Sequence, residues 1–248
     1  MRFKNKVVVV TGAGNGIGRG YALAFAAEGA AVGIVDIDSE GIKQTIEQVE
    51  RQGSHALGIE CDIADEAGVQ NMAARIIEAF GGIDILINNA GLHLGEYNLT
   101  TGLDVAKWRR IFDVNVIGQM LCAKACRKSM ADRGGGSIVN QSSMSAYLGT
   151  GAYGISKLAL NGLTISLARE LAPEGIRVNG IAPGWLPTEA TAAGMTSEQK
   201  KIVMDGQFIK RNGKIGDAVS MVLFLCSEEA SFITGQTYLV DGGFIKRP

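Results

Sequence analysis

The stretch Lys6-Val7-Val8-Val9-Val10-Thr11-Gly12-Ala13-Gly14-Asn15-Gly16-Ile17-Gly18 decides the fold. Its first half is continuous, apolar and rich in β-branched residues, which predicts a buried strand. A glycine-rich turn follows, and the next residues, from Ile17 to Glu28, have the composition of a helix. Val32–Asp36 then has the pattern of a second apolar strand. This order predicts a β-α-β unit, in which the two strands are parallel.

The glycine-rich turn favours a dinucleotide-binding site. Small residues let the backbone approach a pyrophosphate, and the helix N-terminus supplies N–H donors and a positive dipole. The strict G-x-G-x-x-G pattern fails because its last position holds Ile17, and Gly12, Gly16 and Gly18 form G-x-x-x-G-x-G instead. A glycine turn alone is also compatible with a structural role. The strand before it, the helix after it and the acid that closes the next strand favour cofactor binding.

Asp36 is that acid, and it predicts the choice of cofactor. A carboxylate at this strand end is expected to accept hydrogen bonds from both hydroxyls of the adenosine ribose and to repel a 2′-phosphate. The alternative is a turn-forming aspartate, with Asp38 and Ser39 beginning the next helix. Neither arginine nor lysine occurs in the Gly12–Gly18 turn or beside Asp36. NAD is therefore favoured over NADP.

The rest of the chain continues to alternate strands and helices. The further predicted strands are His55–Glu60, Asp84–Asn88, Ser137–Asn140, Ile176–Ile181 and Gln236–Val240, and the further helices are Asp38–Gln52, Asp65–Phe80, two segments within Leu103–Arg133, Gly151 to about Leu171, and Asp217–Cys226. This order predicts one α/β domain over residues 1–248, a Rossmann-type doubly wound parallel sheet of about seven strands with helices on both faces. The polar, glycine-interrupted run Ala190–Arg211 predicts a mobile substrate flap at about residues 187–212.

The stretch from Ser142 to Lys157 has the residues of a reaction centre. If the chain is helical from Gly151, Tyr153 and Lys157 lie on one helix face, one turn apart. An ammonium beside a phenol favours the phenolate and lowers the phenol pKa from about 10. Such a phenol can exchange a proton with an alcohol or carbonyl oxygen. By itself, the tyrosine–lysine spacing is weak evidence that this stretch is catalytic. The order of the other motifs strengthens that evidence.

In order and in context, these motifs resemble the short-chain dehydrogenase/reductase family, in the branch of NAD(P)-dependent oxidoreductases whose chains are near this length. The matching pieces are Thr11-Gly12-x-x-x-Gly16-x-Gly18, Asp62, Asn88-Asn89-Ala90-Gly91, Asn115, Ser143, Tyr153-x-x-x-Lys157, Pro183-Gly184 and Thr188. The resemblance covers the whole chain. Each piece is weak alone, and together they are specific.

The resemblance implies a catalytic tetrad of Asn115, Ser143, Tyr153 and Lys157. Tyr153 would be the general acid/base and Ser143 would bind the substrate oxygen. Lys157 would hold the nicotinamide ribose and lower the pKa of Tyr153. Asn115 would kink its helix and position a water in a proton relay. From the residues alone, an amide within an apolar stretch is either a packing device or a functional kink.

The resemblance also implies the cofactor contacts, with no metal, and a homotetramer. The expected contacts are Gly12, Asn15, Gly16, Ile17, Gly18, Asp36, Asp62, Ile63, Asn89, Ala90, Gly91, Tyr153, Lys157, Pro183, Gly184, Leu186 and Thr188. Subunits would pair through helices near Asn115–Arg133 and Gly151–Leu171, with the last strand and Phe244–Pro248 at a second contact. The small residues Ala159 and Gly162 permit close helix approach.

Three serines compete to hold the substrate oxygen, namely Ser142, Ser143 and Ser145. Side chains alternate along a strand, so Ser142 and Ser143 are expected to point to opposite faces. Alignment from the strand end favours Ser143. Its interval to Tyr153 is a few residues shorter than the family usually shows. We expect the missing residues to be absent from the loop Met144–Ala152, which lines the substrate mouth. A surface loop tolerates deletion better than a buried strand does.

Composition excludes several other classes. The net charge of −1 gives no support for nucleic-acid or anionic-membrane binding. The apolar run Val7–Val10 is too short for a secretory signal, and no stretch approaches a transmembrane helix. The four cysteines form no C-x-x-C, and core packing is favoured for Cys122 and Cys126. A cytoplasmic location is the default expectation.

The predicted function is hydride transfer between NAD and a secondary alcohol or ketone, in which the protein handles the proton and the orientation. One alternative is a non-catalytic NAD-binding sensor or scaffold, although such a protein has no need of all four tetrad residues. Another is an NADP-using 3-oxoacyl reductase of the same family. The fold does not specify the substrate. Met144, Tyr147, Leu148 and Trp185 suggest a bulky apolar pocket, and core packing explains each nearly as well.

Overall fold

The structure, a computed structural model, describes residues 1–93, 100–187 and 196–247. The strands and α-helices, in chain order, are β1 (Val7–Thr11), α1 (Gly16–Ala27), β2 (Ala31–Asp36), α2 (Ser39–Glu50), β3 (Ala56–Glu60), α3 (Glu66–Phe80), β4 (Ile85–Asn88), α4 (Val105–Phe112), α5 (Gln119–Asp132), β5 (Gly136–Gln141), α6 (Gly151–Leu171), β6 (Ile176–Pro183), α7 (Ser197–Gly206), α8 (Ile215–Cys226) and β7 (Thr237–Val240). A π-helical turn, Asp113–Gly118, joins α4 to α5, and a 3-10 helix, Met144–Tyr147, precedes α6.

The seven strands form one sheet in the order β3-β2-β1-β4-β5-β6-β7, and every pair is parallel. In the centre, Val9 of β1 pairs with Gly33 of β2 on one side and Leu86 of β4 on the other. The chain therefore winds outward in both directions from β1 and β4. This reversal leaves a crevice beyond the carboxyl ends of the two strands, which is where ligands bind in such sheets.

A hydrophobic core lies on each face of the sheet. One core includes side chains of α3, α5 and α6, such as Met72 and Cys122. The other includes side chains of α1, α2 and α8, such as Phe25 and Val222. Helices therefore cover both faces, which confirms the predicted Rossmann-type fold. Cys122 and Cys126 are fully buried, as expected for cysteines that pack in a core.

Aspartates fix the starts of three helices. The carboxylates of Asp38, Asp65 and Asp104 each accept a hydrogen bond from the backbone N–H two residues further on, at 3.1, 3.2 and 2.7 Å. Such N-caps satisfy N–H groups that the helix itself leaves unpaired. Asp38 and Asp65 were predicted to be the first residues of their helices and are instead the caps, so these helices begin one residue later.

The expected flap at residues 187–212 is helical in part. Residues 188–195 lie outside the described residues. Beyond them, α7 spans Ser197–Gly206 and Val203 is buried. The glycine that ends α7, Gly206, packs against Phe244, because a Cβ there would lie 2.4 Å from the Phe244 ring. The polar composition favours a mobile flap over a core helix, whereas contact of Gly206 with the C-terminal segment gives this helix a packed side.

Candidate active site

The glycine-rich turn closes tightly against the end of β4. Gly12 and Gly16 have positive φ angles of 64° and 54°, which glycine adopts without strain. A Cβ on Gly18 would lie 2.0 Å from the carbonyl oxygen of Gly12. The Asn89 side-chain amide donates to the carbonyl oxygens of Thr11 and Gly12 at 2.8 and 3.0 Å. The turn therefore presents bare backbone at the N-terminus of α1, a geometry that suits a pyrophosphate.

Asp36 holds the other side of the turn. Its Oδ2 accepts a hydrogen bond of 2.7 Å from the N–H of Gly14, and its Oδ1 accepts from the N–H groups of Ile37 and Asp38. A Cβ on Gly14 would lie 2.9 Å from Asp36 Oδ2. These contacts fix the carboxylate at the carboxyl end of β2, beside the glycine turn.

Arg19 contacts the other backbone polar group of Gly14. Its guanidinium donates to the carbonyl oxygen of Gly14 and, at 3.0 Å, to the hydroxyl of Thr45. The sequence had shown no basic residue in the turn or next to Asp36, and the helix α1 brings one to this turn. Arg19 is thus a charged neighbour of the turn that sequence spacing missed.

A cavity of about 290 Å³ lies at the carboxyl ends of β1, β2 and β4. The predicted cofactor residues that line it are Gly12, Asn15, Gly16, Ile17, Gly18, Asp36, Asp62, Ile63, Asn89, Ala90 and Gly91. They come from four segments that are far apart in sequence, namely the end of β2 and the loops after β1, β3 and β4. The structure therefore brings most of the predicted cofactor contacts into one space, and its bare glycines and the Asp36 carboxylate fit a dinucleotide.

Asp62 and Arg110 form an ion pair at the edge of this cavity. The Arg110 guanidinium donates to Asp62 Oδ2 at 2.6 Å, and Asp62 Oδ1 accepts from the N–H of Ala64 at 3.0 Å. Burial raises the pKa of the Asp62 carboxyl, but these two hydrogen bonds outweigh it and hold the pKa below its usual value. Arg110 was not predicted as a site residue, since nothing in the α4 sequence shows that it faces Asp62.

The segment after β4 is anchored by side chains from two other elements. The hydroxyl of Thr11 accepts from the N–H groups of Asn89 and Ala90 at 3.0 and 3.1 Å. Gln119 donates its side-chain amide to the carbonyl oxygen of Ala90 at 3.1 Å. Neither Thr11 nor Gln119 was predicted to serve the site through its side chain. Together they hold the backbone that borders the cavity.

Asn115 lies within the π-helical turn, fully buried. Its Oδ1 accepts from the N–H of Leu92 at 2.7 Å, and its Nδ2 donates to the Leu92 carbonyl oxygen and the Ser156 hydroxyl, both at 2.9 Å. A π-helical turn inside a helix often marks a functional position. The side chain thus ties α6 to the segment after β4. Placement of a water by Asn115 remains a prediction.

Tyr153 and Lys157 lie one turn apart near the start of α6, as predicted. The Lys157 ammonium is 5.8 Å from the centroid of the Tyr153 ring and donates at 2.7 Å to the carbonyl oxygen of Gln141. A Cβ on Gly91 would lie 3.1 Å from Lys157 Nζ. Gly91 and Gln141 both line the cavity, so the Lys157 ammonium lies against two of the residues that form its wall. Burial lowers the pKa of Lys157 to about 7.

Ser142 and Ser143 both follow the end of β5 and differ in burial. Ser142 is buried, and its hydroxyl donates to the carbonyl oxygen of Lys157 at 3.1 Å. Ser143 is partly exposed, and its hydroxyl accepts at 3.1 Å from the N–H of Ser145, which caps the 3-10 helix. β5 ends at Gln141, so Ser145 does not continue the strand.

The predicted contacts after β6 lie apart from this cavity. Pro183 ends β6, and Gly184 and Leu186 line a second cavity of about 440 Å³ that residues of α8 and β7 complete. Thr188 lies outside the described residues. Contact of this segment with the nicotinamide carboxamide therefore remains a prediction.

Comparisons with known proteins match nearly the whole chain. The sequence model of a family described as Enoyl-(Acyl carrier protein) reductase matches residues 12–245. An uncharacterized oxidoreductase of Mycobacterium tuberculosis (strain ATCC 25618 / H37Rv) is 44% identical over 248 residues, covering 99% of each chain. Dehydrogenase/reductase SDR family member 4 of Sus scrofa is 36% identical, covering 98% of this chain and 88% of its own. The chain belongs to the short-chain dehydrogenase/reductase family.

A solved structure gives the same fold. It is a 7α-hydroxysteroid dehydrogenase complexed with NADH and 7-oxo glycochenodeoxycholic acid, to which this chain is similar with a TM-score of 0.93 and 33% identity over 99% of this chain and 96% of that one. As a short-chain dehydrogenase/reductase, the protein is an oxidoreductase of a family that binds a nicotinamide cofactor, NAD or NADP.

Two further findings concern the described ranges only. Within residues 1–93, 100–187 and 196–247, no helix is long and apolar enough to span a bilayer. In the same part of the chain, no three His, Cys, Asp or Glu side chains come together as metal ligands.

Proposed function

We propose that the protein is an NAD-dependent oxidoreductase, folded as one domain, that interconverts a secondary alcohol and a ketone. The observation that carries the proposal is the position of Lys157. It contacts the Tyr153 ring on α6 and lies against Gly91 and Gln141 of the cavity. One buried ammonium group therefore lies between the phenol that would carry the proton and the cavity that would hold the cofactor.

NAD would be held by the groups that line the cavity. The N-terminus of α1 and its glycine turn would bind the pyrophosphate, and Asp36 would accept hydrogen bonds from the adenosine ribose. Asp62 and Ile63 would lie at the adenine, and Lys157 at the nicotinamide ribose. When bound, the nicotinamide supplies the acceptor for a hydride from the substrate carbon.

The chain's own residues handle the substrate oxygen. As the alcohol is oxidised, its hydroxyl proton would pass to the phenolate of Tyr153, and Ser143 would donate a hydrogen bond to the same oxygen. Because burial lowers the pKa of Lys157 to about 7, its charge is only partly present at neutral pH. A phenolate on Tyr153 would stabilise the ammonium form, so the two groups would titrate as a pair.

Asn115 supports this arrangement by joining Leu92 to Ser156. Ser156 immediately precedes Lys157, and its hydroxyl also donates to the Tyr153 carbonyl oxygen at 2.7 Å. The amide therefore holds the first turn of α6 against the segment after β4. We infer that its role includes this fixation, in addition to any water that it positions.

The test is NADH formation with a panel of secondary alcohols, together with NADH consumption by the matching ketones. The panel should include cyclohexanol and a 7α-hydroxy bile acid, because the similar solved structure was obtained with a 7-oxo bile acid. Turnover by the wild type that Tyr153→Phe abolishes is the expected result. NAD binding without turnover of any panel member would favour the sensor or scaffold alternative.

One observation favours the second candidate, an NADP-using 3-oxoacyl reductase. The Arg19 guanidinium donates to the carbonyl oxygen of Gly14, and the N–H of the same glycine donates to Asp36. A cation at this position could pair with a 2′-phosphate. Asp36 opposes it with a carboxylate fixed by three N–H groups, and on this ground we favour NAD.

We also propose a homotetramer. The outer face of α6 exposes three large apolar side chains at helical spacing, Ile155, Leu158 and Ile165. Among the described residues, no atom lies within 4 Å of where a Cβ on Gly162 would be, so there is room for another helix to approach. An apolar helix face of this kind commonly packs against a partner.

A further inference from the structure

Gln141 is a wall residue of the cavity, and one of its polar groups has no partner. It ends β5 and lines the cavity at the glycine-rich turn. Its carbonyl oxygen accepts the 2.7 Å hydrogen bond from Lys157 Nζ, and its side-chain Oε1 accepts one of 2.5 Å from the Tyr21 hydroxyl. Within residues 1–93, 100–187 and 196–247, its side-chain Nε2 donates no hydrogen bond. Gln141 therefore brings an unused amide donor to the cavity wall.

The phenol of Tyr21 decides which end of this amide is the donor. Tyr21 lies in α1 and is almost fully buried, and burial raises the pKa of its hydroxyl far above the usual value, so the hydroxyl keeps its proton. A buried O–H needs an acceptor, and in the described part of the chain Gln141 Oε1 is the acceptor that it has. Turning the amide over would take that acceptor away. The amide is therefore fixed with Oε1 toward Tyr21 and Nε2 at its other end.

The place of Gln141 in the sheet indicates which part of a dinucleotide it would meet. Asp36, the acid that would bind the adenosine ribose, ends β2, and Gln141 ends β5. The order β2-β1-β4-β5 puts these two strand ends three strand spacings apart, which is about 14 Å. Gln141 is instead bonded to Lys157, which would hold the nicotinamide ribose. Its amide therefore belongs to the nicotinamide end of the cavity.

We propose that the Gln141 amide donates a hydrogen bond to the carboxamide oxygen of the bound nicotinamide, and that Tyr21 is a positioning residue that acts through Gln141. This inference rests on the proposed function, because that function places the nicotinamide ribose at Lys157. A carbonyl oxygen accepts two hydrogen bonds, so the segment after β6 is free to contact the same carboxamide. Neither Gln141 nor Tyr21 was predicted from the sequence as a site residue.

The experiment compares NADH with ADP-ribose, which has the same adenosine, pyrophosphate and second ribose but lacks the nicotinamide. Calorimetry gives the dissociation constant of each ligand for the wild type, Gln141→Met, Tyr21→Phe and the double variant. Gln141→Met keeps the length of the side chain and removes its amide, and Tyr21→Phe keeps the ring and removes its hydroxyl. Tyr238→Phe is the matched control, since Tyr238 lies on β7 and its hydroxyl makes no hydrogen bond within the described residues.

Gln141→Met should weaken NADH binding by about fivefold or more, as for the loss of one hydrogen bond, and should leave ADP-ribose binding nearly unchanged. Tyr21→Phe should weaken NADH binding by a smaller factor, because the amide remains but is no longer fixed. The double variant should bind NADH as Gln141→Met does, since Tyr21 acts through an amide that is no longer present. Tyr238→Phe should change the affinity for neither ligand. Retained ADP-ribose binding shows that each variant is folded.

Three results would overturn the proposal. Equal weakening of both ligands by Gln141→Met would mean that Gln141 supports the cavity and does not contact the nicotinamide. Unchanged NADH binding in Gln141→Met would mean that the amide makes no bond to the cofactor. Effects of Gln141→Met and Tyr21→Phe that multiply in the double variant would mean that Tyr21 does not act through Gln141.

This comparison is separable from the test of the proposed function, because it uses no substrate. A silent panel of alcohols would refute the proposed reaction and leave the binding comparison intact. If the wild type binds NADPH more tightly than NADH, the proposed cofactor choice is refuted, and the same variants are compared with NADPH and ADP-ribose 2′-phosphate. A wild type that binds the preferred cofactor no more tightly than its counterpart without nicotinamide would overturn the inference itself.

Discussion

The ammonium of Lys157 lies 5.8 Å from the centre of the Tyr153 ring and donates a 2.7 Å hydrogen bond to the carbonyl oxygen of Gln141. Gln141 is the last residue of β5 and lines the cavity at the glycine-rich turn. One buried cation therefore links the helix that carries the phenol to the sheet edge that forms the cavity. The expected effects of substitution follow from this link.

Tyr153→Phe should retain NADH binding and lose turnover by about 10² to 10⁴-fold, because the ring remains and the proton carrier is removed. Lys157→Ala should weaken both NADH binding and turnover. Fluorescence titration with NADH and steady-state kinetics measure the two effects. A Tyr153→Phe enzyme with nearly normal kcat would contradict the proposed role.

Lys157→Met should stabilise the cofactor-free protein more at pH 6 than at pH 9. Burial lowers the folded-state pKa of Lys157 to about 7 from its ordinary value of 10.5. Between these values the unfolded chain binds more protons, so wild-type stability rises with pH. Below pH 7 the full penalty of burying the ammonium is present. Each pKa unit corresponds to about 1.4 kcal/mol. The free energy of unfolding that Lys157→Met gains should therefore be greater at pH 6 than at pH 9 by on the order of 2 kcal/mol.

Urea unfolding at the two pH values and one protein concentration measures this difference. The variant loses the hydrogen bond to Gln141 at both pH values, and because the ammonium makes the stronger bond, this loss reduces the difference between pH 6 and pH 9. The control is Lys128→Met, because Lys128 is exposed on α5. Equal gains for Lys157→Met at both pH values would show that Lys157 is charged throughout this range in the folded protein.

Asp36 should make NAD the preferred cofactor by tenfold or more, about 1.4 kcal/mol. Asp36→Asn keeps an oxygen that can accept from Gly14 and removes the charge, so it should narrow the difference between the NAD and NADP dissociation constants. Arg19→Met should weaken NADP more than NAD. Dissociation constants for both cofactors check these outcomes, and equal constants in the wild type would favour the NADP-using alternative.

Ser143→Ala should lower kcat by about 10²-fold, as for the loss of one donor to the reacting oxygen. Ser142→Ala should stay within a few-fold of wild-type activity but lose about 1 kcal/mol of stability, because its hydroxyl is bonded to the Lys157 carbonyl. Ser145→Ala should have little effect on either. A damaging Ser145→Ala would show that the serine was assigned wrongly.

Leu158→Asp should dissociate the proposed tetramer, because it places a charge in the centre of the exposed apolar face of α6. Light scattering should then show a smaller species. Val105→Asp is the control, since Val105 is equally exposed on another helix, α4. A wild type that scatters as a 26.1 kDa particle at micromolar concentration would rule out the assembly.

The positions of the cofactor residues were predictable because they depend on local pattern and one topological rule. Apolar β-branched runs mark the strands, and glycines and aspartates mark where they end. Parallel strands place all their carboxyl ends on one edge of the sheet. Asp36, Asp62 and Asn89 therefore had to approach the Gly12–Gly18 turn, and the structure places all of them around one cavity.

The same reasoning did not identify the contacts of Arg110 and Arg19, because the periodicity of a segment does not reveal which partner a side chain will contact. Arg110 lies 48 residues from Asp62 and Arg19 reaches back to Gly14, and neither pairing leaves a mark in the local sequence. The helix α7 was missed because its apolar contacts come from the C-terminal segment.

By itself, the sequence determined the order of the strands and of the described α-helices other than α7, the edge of the sheet that holds the cavity, and the tyrosine–lysine pair one helical turn apart. Those features follow from the 2.0 and 3.6 residue periods and from the chirality of β-α-β connections. Only the tertiary structure decided that Asn115 joins Leu92 to Ser156, and that His93 packs against Tyr153. These contacts depend on where the segment after β4 meets α6, which is set by packing between elements that are distant in the chain.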